Sequence, residues 1–340
     1  MNKITSLLLL IICFSCTHSS ETEKYQNKRD NIVNVNDKVQ EFVIDDILMG
    51  SVLRLYFMGD YLLIEDSRSY DKLVHIFDKK KLKYCTSTVD RGPGPYEITS
   101  LGHLEVDEIH NKFYLSDYSK LKIFSFDLDS VLADPFYRPH VKLKMNGKQI
   151  PSQYIYVNDT LCIAKIIEPI GNNDFKPTVG KWNMSTGEIV LMKYEHPEIK
   201  KKRCNFNASI ENGIYVEIYN YHDLMSICSL NGELKYNIYG PDWSSETDAR
   251  TNYYCHASIC GDMIVALYSG EDAFFKDKNG ELKSNPPTKF LVFDLKGNYI
   301  KTLETEHQIC DFYYDKENHR FIMTLNEEIQ FAYLDLEGLI

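Results

Sequence analysis

The sequence lacks the motifs that would assign a chemistry directly. Its 340 residues contain no GxSxG nucleophile motif, no HExxH zinc motif and no phosphate-binding P-loop. No long segment has a convincing helical period of 3.6 residues. Basic residues are outnumbered by acidic ones, 38 against 49, which gives a formal net charge of −11. An acidic surface disfavours nucleic acid and anionic lipid as partners, because clustered Lys and Arg hold both.

The cysteines also lack a recognisable framework. Seven follow Cys16, namely Cys85, Cys162, Cys204, Cys228, Cys255, Cys260 and Cys310, and no two of these seven form a CxxC pair. The odd number argues against both a complete disulfide framework and a zinc ribbon. Several lie in apolar, strand-like runs, where cysteine serves as a small core residue. Cys255-His256-x3-Cys260 is the one metal-like cluster, but we expect no metal site. A disulfide between Cys255 and Cys260, or one of longer range, stays open.

The only long apolar run lies at the N-terminus. MNKITSLLLLIICFSC carries Lys3 in a short polar start, then an apolar stretch that is too short to span a bilayer. This predicts a signal peptide over residues 1–15. Ser15-Cys16 resembles a bacterial lipobox, which implies cleavage before Cys16 and acylation of its thiol. Residues 16–36 are polar and are predicted to be the lipidated cysteine and a flexible tether.

The rest of the chain, residues 37–340, alternates two short motifs. The first is a turn followed by an apolar strand: GDYLLIED at 59, NKFYLSD at 111, NDTLCIAK at 158, NGIYVEIY at 212, GDMIVALY at 261 and NHRFIMTL at 318. The second is an apolar strand ending near a polar turn: VHIFDKKK at 74, IFSFDLDS at 123, GKWNMSTGE at 180, SICSLNGE at 226, LVFDLKGN at 291 and AYLDLEG at 332. Both motifs occur six times, at spacings of about 47 to 57 residues for the first.

A period near 50 residues with about four strands per repeat predicts an all-β fold, a six-bladed β-propeller of four-stranded antiparallel blades. The chain stops at Ile340, after the third strand of the sixth repeat. A spare strand, QEFVIDDI at 40–47, precedes the first repeat. We expect this N-terminal strand to complete the last blade, since pairing there removes an open sheet edge.

The stretch RGPGPYEI (91–98) with LEVDEIHNKFYLSDYSKLKIFSFD after it resembles the TolB-like six-bladed β-propeller lipoproteins of Bacteroidetes and, more distantly, a single NHL repeat. The residues that carry the resemblance are Arg91, Gly92, Gly94, Pro95, Glu97, Tyr114, Asp117, Ile123, Phe126 and Asp127. It implies a propeller lipid-anchored to the outer membrane of the cell envelope, periplasmic or surface-exposed. It implies no single activity, because propellers host many functions.

A propeller collects its loops between blades and its second-to-third-strand loops on one face, around the channel mouth. The candidate ligand-binding residues predicted for this face are Arg91, Tyr96, Glu97, Asp117, Tyr219, Tyr221, His222, Trp243, Arg250 and Tyr253. Aromatic faces beside Asp, Asn and Arg suit sugar rings, although the same residues would serve as loop and packing groups. A polar insertion at 269–289, with Phe274 and Phe275, is expected to adjoin the face. Arg91 and Glu97 are expected to pair across the RGPGPYEI loop.

These observations favour a monomeric binding scaffold for a glycan or an envelope protein over an enzyme. The alternative is a metal-dependent lactonase or lyase of the propeller type, in which Glu97, Asp117, Asn220 and Asn252 would hold a calcium ion. No catalytic residue is predicted, and no cofactor is expected apart from that calcium. Contact with the membrane is expected through the lipid anchor only.

Overall fold

The computed structural model describes residues 21–44, 46–134, 136–171 and 174–340, and these are mostly β-strand. The predicted lipidation site, Cys16, lies outside the described residues. The N-terminal part contains strands β1 (Glu23–Tyr25) and β2 (Ile32–Asn34), a 3-10 turn (Asn36–Lys38) and strand β3 (Val39–Phe42). In the described ranges, no helix is long and apolar enough to cross a bilayer.

Three antiparallel blades of four consecutive strands follow. Blade 1 contains β4 (Leu53–Met58), β5 (Tyr61–Asp66), β6 (Lys72–Asp78) and β7 (Lys83–Asp90). Blade 2 contains β8 (Leu101–Asp107), β9 (Lys112–Asp117), β10 (Lys122–Asp127), helix α1 (Leu128–Ala133) and β11 (His140–Lys144). Blade 3 contains β12 (Ile150–Asn158), β13 (Leu161–Ile170), β14 (Asp174–Trp182) and β15 (Ile189–Leu191).

The second half of the chain repeats this plan with additions. Blade 4 contains β16 (Cys204–Ser209), β17 (Ile214–Tyr219), β18 (Leu224–Ser229) and β19 (Leu234–Tyr239). Blade 5 contains β20 (Thr251–Cys260), β21 (Met263–Asp272), the hairpin β22 (Phe274–Lys276) and β23 (Leu282–Ser284), then β24 (Lys289–Asp294) and β25 (Tyr299–Glu304). Blade 6 contains β26 (Ile309–Asp315), β27 (Arg320–Leu325) and β28 (Phe331–Asp335).

The innermost strands β4, β8, β12, β16, β20 and β26 contact one another in turn, and β26 contacts β4. The prediction of a six-bladed β-propeller is therefore confirmed. The predicted closing strand is confirmed as well: β3 pairs antiparallel with β28, with Val39 opposite Leu334 and Phe42 opposite Phe331. Its observed range, 39–42, is shorter than the predicted 40–47.

Both repeated motifs have the predicted place in the blade. The first forms the turn between the two inner strands and then the second strand, and the second forms the third strand. The inner turn needs a left-handed residue in five of the six blades: Gly59, Asn111, Gly213, Gly261 and His319 all have φ between 47° and 64°. Gly and Asn are the residues that take this conformation at least cost, which explains their recurrence in the motif.

The core lies between neighbouring blades rather than in one central mass. Between blades 2 and 3, for example, Tyr114 and Ile123 pack against Tyr154 and the fully buried Trp182. Each such apolar side chain contributes about 1.5–3 kcal/mol when it leaves water. All seven described cysteines are free, and Cys162, Cys204, Cys228 and Cys260 are buried, as the apolar runs around them indicate.

The structure does not match the predicted tether, residues 16–36. Its last sixteen residues, 21–36, belong to the described part of the chain and contain two strands. Strand β1 pairs parallel with β19 at the outer edge of blade 4, and β2 pairs parallel with β25 at the outer edge of blade 5. With β3 on blade 6, the segment adds an outer strand to three blades in succession. A polar sequence does this because edge pairing uses main-chain hydrogen bonds and needs few apolar side chains.

Candidate functional site

The predicted site residues all lie on the face that carries the loops between blades, but in two separate groups. Arg91, Tyr96, Glu97 and Asp117 lie at the junction of blades 1 and 2. Tyr219, Tyr221, His222, Trp243, Arg250 and Tyr253 lie at the junction of blades 4 and 5. The structure gives these groups different roles.

Asp117 is a buried structural anchor at the junction of blades 1 and 2. Its carboxylate accepts hydrogen bonds from the backbone N–H groups of Thr99, Ser100, Ser119 and Lys120, at 2.8–3.2 Å. These donors belong to the crossover into blade 2 and to the turn after β9. With its oxygens used in this way, Asp117 holds the two loops together and is not free for a ligand.

Asp66 has the equivalent place in blade 1. It accepts from the backbone N–H groups of Gly50 at 2.7 Å, and of Arg68 and Ser69 at 2.9 Å each. Burial would raise the pKa of Asp66, but the nearby His75 imidazole, 3.8 Å away, and the hydrogen bonds from the Gly50 and Arg68 N–H groups outweigh burial and lower the pKa. The aspartate at the end of the second strand is thus a repeated clamp of the fold.

The RGPGPYEI loop is held by Glu97 in another way than predicted. Glu97 turns back over its own loop and accepts from the Gly94 N–H at 2.6 Å. A side chain at Gly92 or Gly94 would overlap this carboxylate, which explains both glycines. Arg91 does not pair with Glu97; its guanidinium donates to the Ser67 carbonyl at 2.7 Å. The expected pair is wrong because the Ser67 carbonyl accepts from Arg91 and the Gly94 N–H donates to Glu97.

Lys120 completes this junction, and sequence reasoning missed it. Its ammonium donates to the carbonyls of Gly94 and Glu97, both at 2.6 Å. Tyr96 remains exposed, with the Arg138 guanidinium 5.3 Å from its ring centre. The junction of blades 1 and 2 is therefore a structural joint, in which Arg91 and Tyr96 are the predicted residues that are exposed to solvent.

A cavity of about 180 Å³ opens at the junction of blades 4 and 5. We call it the blade 4–5 pocket. It is lined by Tyr221, His222, Asp242, Ser244, Glu246, Thr247, Asp248 and Tyr253. Three of these residues, Tyr221, His222 and Tyr253, are among the predicted ones. The acidic and hydroxyl residues come from the crossover between β19 and β20, which sequence reasoning represented only by Trp243 and Arg250.

His222 orders one wall of the pocket. Its Nδ1 lies 2.9 Å from the Ser244 carbonyl oxygen, and its Nε2 lies 3.5 Å from the Thr247 hydroxyl. Burial lowers the pKa of His222, so the imidazole is neutral at pH 7. Hydrogen bonding to the Ser244 carbonyl requires the proton on Nδ1, which leaves Nε2 as an acceptor toward Thr247.

Tyr219 and Trp243 lie behind the pocket and do not line it, contrary to prediction. They belong to an aromatic cluster with His196 and Tyr239, whose ring centres are 4.7–6.4 Å from their neighbours. Tyr219 is fully buried, and its hydroxyl has no hydrogen-bond partner among the described residues. Its position on β17 directs it between blades 3 and 4 because side chains alternate along a strand.

Arg250 also does not line the pocket. Its side chain is 84% exposed and forms a two-point ion pair with Asp248, at 3.1 Å for each contact. Asp248 is therefore neutralised locally. Asp242 and Glu246 have no Lys or Arg nitrogen within 4 Å in the described part of the chain. The pocket thus keeps two carboxylates for a ligand.

Arg29 of the N-terminal segment supports the pocket from below. Its guanidinium donates to Asp223 and to the Tyr254 hydroxyl, both at 2.9 Å. Asp223 follows His222 directly, is fully buried, and also accepts from the Tyr268 hydroxyl at 3.2 Å. No sequence signal identifies this contact, because Arg29 lies in a polar stretch far from Asp223 along the chain.

The hairpin β22–β23 lies beside the pocket. The Ala273 N–H at its base donates to the Arg250 carbonyl at 2.8 Å. Phe274, Phe275 and Leu282 on the hairpin are exposed. The insertion therefore adjoins the face as predicted and presents an apolar surface next to the pocket.

Ionisable residues also line the innermost strands, where sequence reasoning did not look for them. Arg54 on β4 forms an ion pair with Glu65 of β5 at 3.4 Å and keeps 56% of its side chain accessible. On β8, Glu105 lies 3.1 Å from His103. Burial raises the pKa of both Glu65 and Glu105. Each carboxyl group already has a protein partner.

The four residues predicted as calcium ligands under the enzyme alternative lie at two different junctions. Glu97 and Asp117 belong to the joint between blades 1 and 2, where backbone N–H groups occupy them. Asn220 donates to the Tyr254 carbonyl at 2.8 Å, and Asn252 lies 2.9 Å from the Cys255 sulfur. These contacts give no support to a shared ion. His256 on β20 contacts Asp311 of blade 6 at 2.5 Å, and Cys260 at the end of the same strand is buried.

Comparisons with known proteins agree with the fold. The model of a family described as DUF5128, 6-bladed beta-propeller, matches residues 43–134, which span blade 1 and most of blade 2. No curated protein matches the sequence.

Several solved structures share the architecture. A member of the DUF4221 family from Bacteroides vulgatus has a TM-score of 0.59 at 9% identity, covering 91% of this chain and 98% of that one. A protein of Bacteroides fragilis described as exported has a TM-score of 0.52 at 12% identity, covering 90% and 88%. The extracellular domain of a one-component system of B. thetaiotaomicron has a TM-score of 0.51 at 12% identity, covering 83% of this chain and 33% of that one. At these identities the likeness shows the fold alone.

Proposed function

We propose that the protein is a binding module of the cell envelope whose ligand occupies the blade 4–5 pocket and is a carbohydrate. The observation that carries this proposal is the composition of the pocket wall: two tyrosine rings, two hydroxyl groups and two carboxylates without a cationic partner around one cavity. A rigid scaffold with such a loop-lined cavity is a common arrangement for ligand recognition.

The chemistry of the wall suits a sugar ring. Sugar hydroxyls donate hydrogen bonds, and the carboxylate oxygens of Asp242 and Glu246 are available to accept them. The faces of Tyr221 and Tyr253 can pack against the apolar face of a pyranose. The volume of about 180 Å³ is smaller than the roughly 300–1,000 Å³ typical of drug-sized ligands. The pocket therefore accepts one terminal or side-chain sugar residue of a longer glycan.

Location and anchoring belong to the same proposal. The lipobox-like Ser15-Cys16 supports a lipoprotein of the TolB-like type, held in the envelope through acylated Cys16. The similar folds include an exported protein and an extracellular domain, which supports a location outside the cytoplasm. Only residues 17–20 lie between Cys16 and the described chain, so this linker can reach at most about 18 Å.

A protein partner is the second candidate, and the exposed hairpin favours it. Phe274, Phe275 and Leu282 present apolar side chains beside the pocket, and exposed apolar patches on exported proteins mark interaction sites. An envelope protein could contact this hairpin while the pocket receives one of its side chains.

A glycan array tests the proposal. The full-length protein, purified in detergent, is applied with and without calcium, beside Tyr253→Ala and the control Tyr96→Ala. The control removes an exposed tyrosine of the other junction. We expect a glycan signal that persists without calcium, is lost in Tyr253→Ala and is kept in Tyr96→Ala. No glycan signal from the folded protein, together with a specific envelope protein recovered by pull-down, would replace the carbohydrate by a protein partner.

A further inference from the structure

Three side chains with metal-binding atoms meet where the propeller ring closes. One oxygen each of Glu41 and Glu327 and one ring nitrogen of His307 all lie within 4.8 Å of one another. Glu41 lies on the closing strand β3, His307 in the crossover from blade 5 to blade 6, and Glu327 in the loop between β27 and β28. From this juxtaposition we propose that Glu41, His307 and Glu327 form a binding site for a divalent transition-metal ion of the zinc type, which fastens the closing strand to blade 6.

The donor set selects the class of ion. An imidazole nitrogen with two carboxylate oxygens suits Zn²⁺ and its neighbours, whereas Ca²⁺ and Mg²⁺ prefer oxygen ligands alone. At the usual zinc–ligand distances of about 2.0–2.2 Å, ligand atoms lie roughly 3.4 Å apart. Side-chain rotations that move the ligand atoms by about 1 Å would bring them from their observed separation to that geometry. The partly exposed position leaves room for a water ligand on the ion.

Two of the three ligands are already oriented. Glu327 accepts from the Gln308 N–H through Oε1 at 2.7 Å, and its Oε2 lies 2.9 Å from His307 Nδ1. The contact from a backbone N–H to one carboxylate oxygen directs the other oxygen toward the imidazole. A metal ion would bind His307 Nδ1 in the position of the proton shared with Glu327, and the neutral imidazole would then carry its single proton on Nε2.

The charge balance of the cluster also favours a cation. In the described ranges, neither Glu41 nor Glu327 has a Lys or Arg nitrogen within 4 Å, and the Glu41 side chain makes no hydrogen bond. The adjacent Glu306 accepts only from the amides of Asn34 and Asn36, at 3.0 and 3.4 Å. Two carboxylates held near each other without a cation repel, and a bound divalent ion converts that repulsion into attraction.

The location gives the ion a structural role. Strand β3 has only four residues and pairs with β28 alone, yet it completes the last blade. An ion held by all three segments would couple β3 to both loops. Because such an ion binds the closed ring and not the unfolded chain, it would raise the unfolding temperature, and the rise would grow with the concentration of free ion.

The test uses Co²⁺ as a spectroscopic probe for the zinc site and Zn²⁺ for stability. Full-length protein carries Cys85→Ser and Cys310→Ser, because these are the two exposed thiols among the described residues. Variants Glu41→Gln and His307→Asn remove one ligand each. His110→Asn is the matched control, since His110 pairs with Asp107 at 2.7 Å on the surface but belongs to no three-ligand group in the described residues.

We expect Co²⁺ to bind with a spectrum of nitrogen and oxygen ligands, at least about tenfold more weakly in Glu41→Gln and His307→Asn than in the parent or in His110→Asn. Zn²⁺ should raise the thermal midpoint of the parent, and Glu41→Gln should abolish that rise while keeping the midpoint in EDTA, because the Glu41 side chain has no hydrogen bond to lose. Equal Co²⁺ affinity in the parent and Glu41→Gln would overturn the proposal. A sulfur-to-cobalt charge-transfer band would overturn it too, since it would assign binding to a cysteine.

Discussion

Arg29 and Asp223 form a buried ion pair, 2.9 Å between Nη1 and Oδ1, that joins the N-terminal segment to the loop beneath the blade 4–5 pocket. The two side chains are 7% and 0% exposed. The rings of Tyr254, Tyr268 and Phe293 surround the guanidinium at 5.1–5.9 Å. The segment that leads to the predicted lipid anchor is thus part of the support of the candidate site.

Breaking this pair should destabilise the protein strongly. Arg29→Ala leaves the Asp223 carboxylate buried without its cation, and loss of one partner of a buried pair costs about 3–5 kcal/mol. The measurement is the free energy of unfolding in urea, with Arg250→Ala as the control. Arg250 pairs with Asp248 at the exposed surface, so its removal should leave the transition unchanged. Equal transitions for Arg29→Ala and the parent would contradict the structural role given to Arg29.

The clamp at Asp66 predicts a dependence of stability on pH. Because the folded state lowers the pKa of Asp66, its contribution is fully present above the pKa of the unfolded chain, about 3.9. The contribution falls as pH drops through the lower folded pKa. Asp66→Asn should therefore reduce the unfolding free energy most at pH 6, and the difference from the parent should shrink between pH 4 and pH 2. A difference that stays constant over this range would show that ionisation of Asp66 does not stabilise the fold.

The RGPGPYEI loop predicts a coupled pair of substitutions. In Gly92→Ala the new methyl group would overlap the Glu97 carboxylate, so Glu97 must leave the Gly94 N–H. We expect a loss of about 1–3 kcal/mol for Gly92→Ala and for Glu97→Ala alone. Since both remove the same contact, the double variant should lose clearly less than the sum. Additive losses in urea unfolding would mean that the two residues act independently.

The sequence predicted the blades and the closure of the ring because both depend on local patterns. Alternating apolar residues and turns with Gly59 or Asn111 are visible in a single repeat, and the missing outer strand follows from counting. Strands β1 and β2 could not be predicted, because parallel pairing at an outer edge is made by the main chain and leaves no apolar pattern.

The sequence predicted the face of the propeller on which the candidate site lies, but not which residues line a pocket there. Tyr221 and Tyr253 line the cavity, whereas Tyr219 lies behind it, and strand alternation alone separates Tyr219 from its neighbours. Asp117 looked like a ligand residue because its four backbone donors come from loops whose approach only the folded chain brings about. Lys120 was overlooked for the same reason.

The most direct test of the binding site is a calorimetric titration with the glycan that gives the strongest array signal. Parent, Tyr253→Ala, Glu246→Gln and the control Tyr96→Ala are compared as folded proteins with equal unfolding temperatures. Loss of one stacking ring costs about 1–1.5 kcal/mol, so Tyr253→Ala should weaken binding about tenfold. Glu246→Gln should weaken it by a similar factor, and Tyr96→Ala should bind as the parent does. Unchanged affinity in Tyr253→Ala and Glu246→Gln, with weaker binding in Tyr96→Ala, would contradict the assignment and move the ligand to the junction of blades 1 and 2.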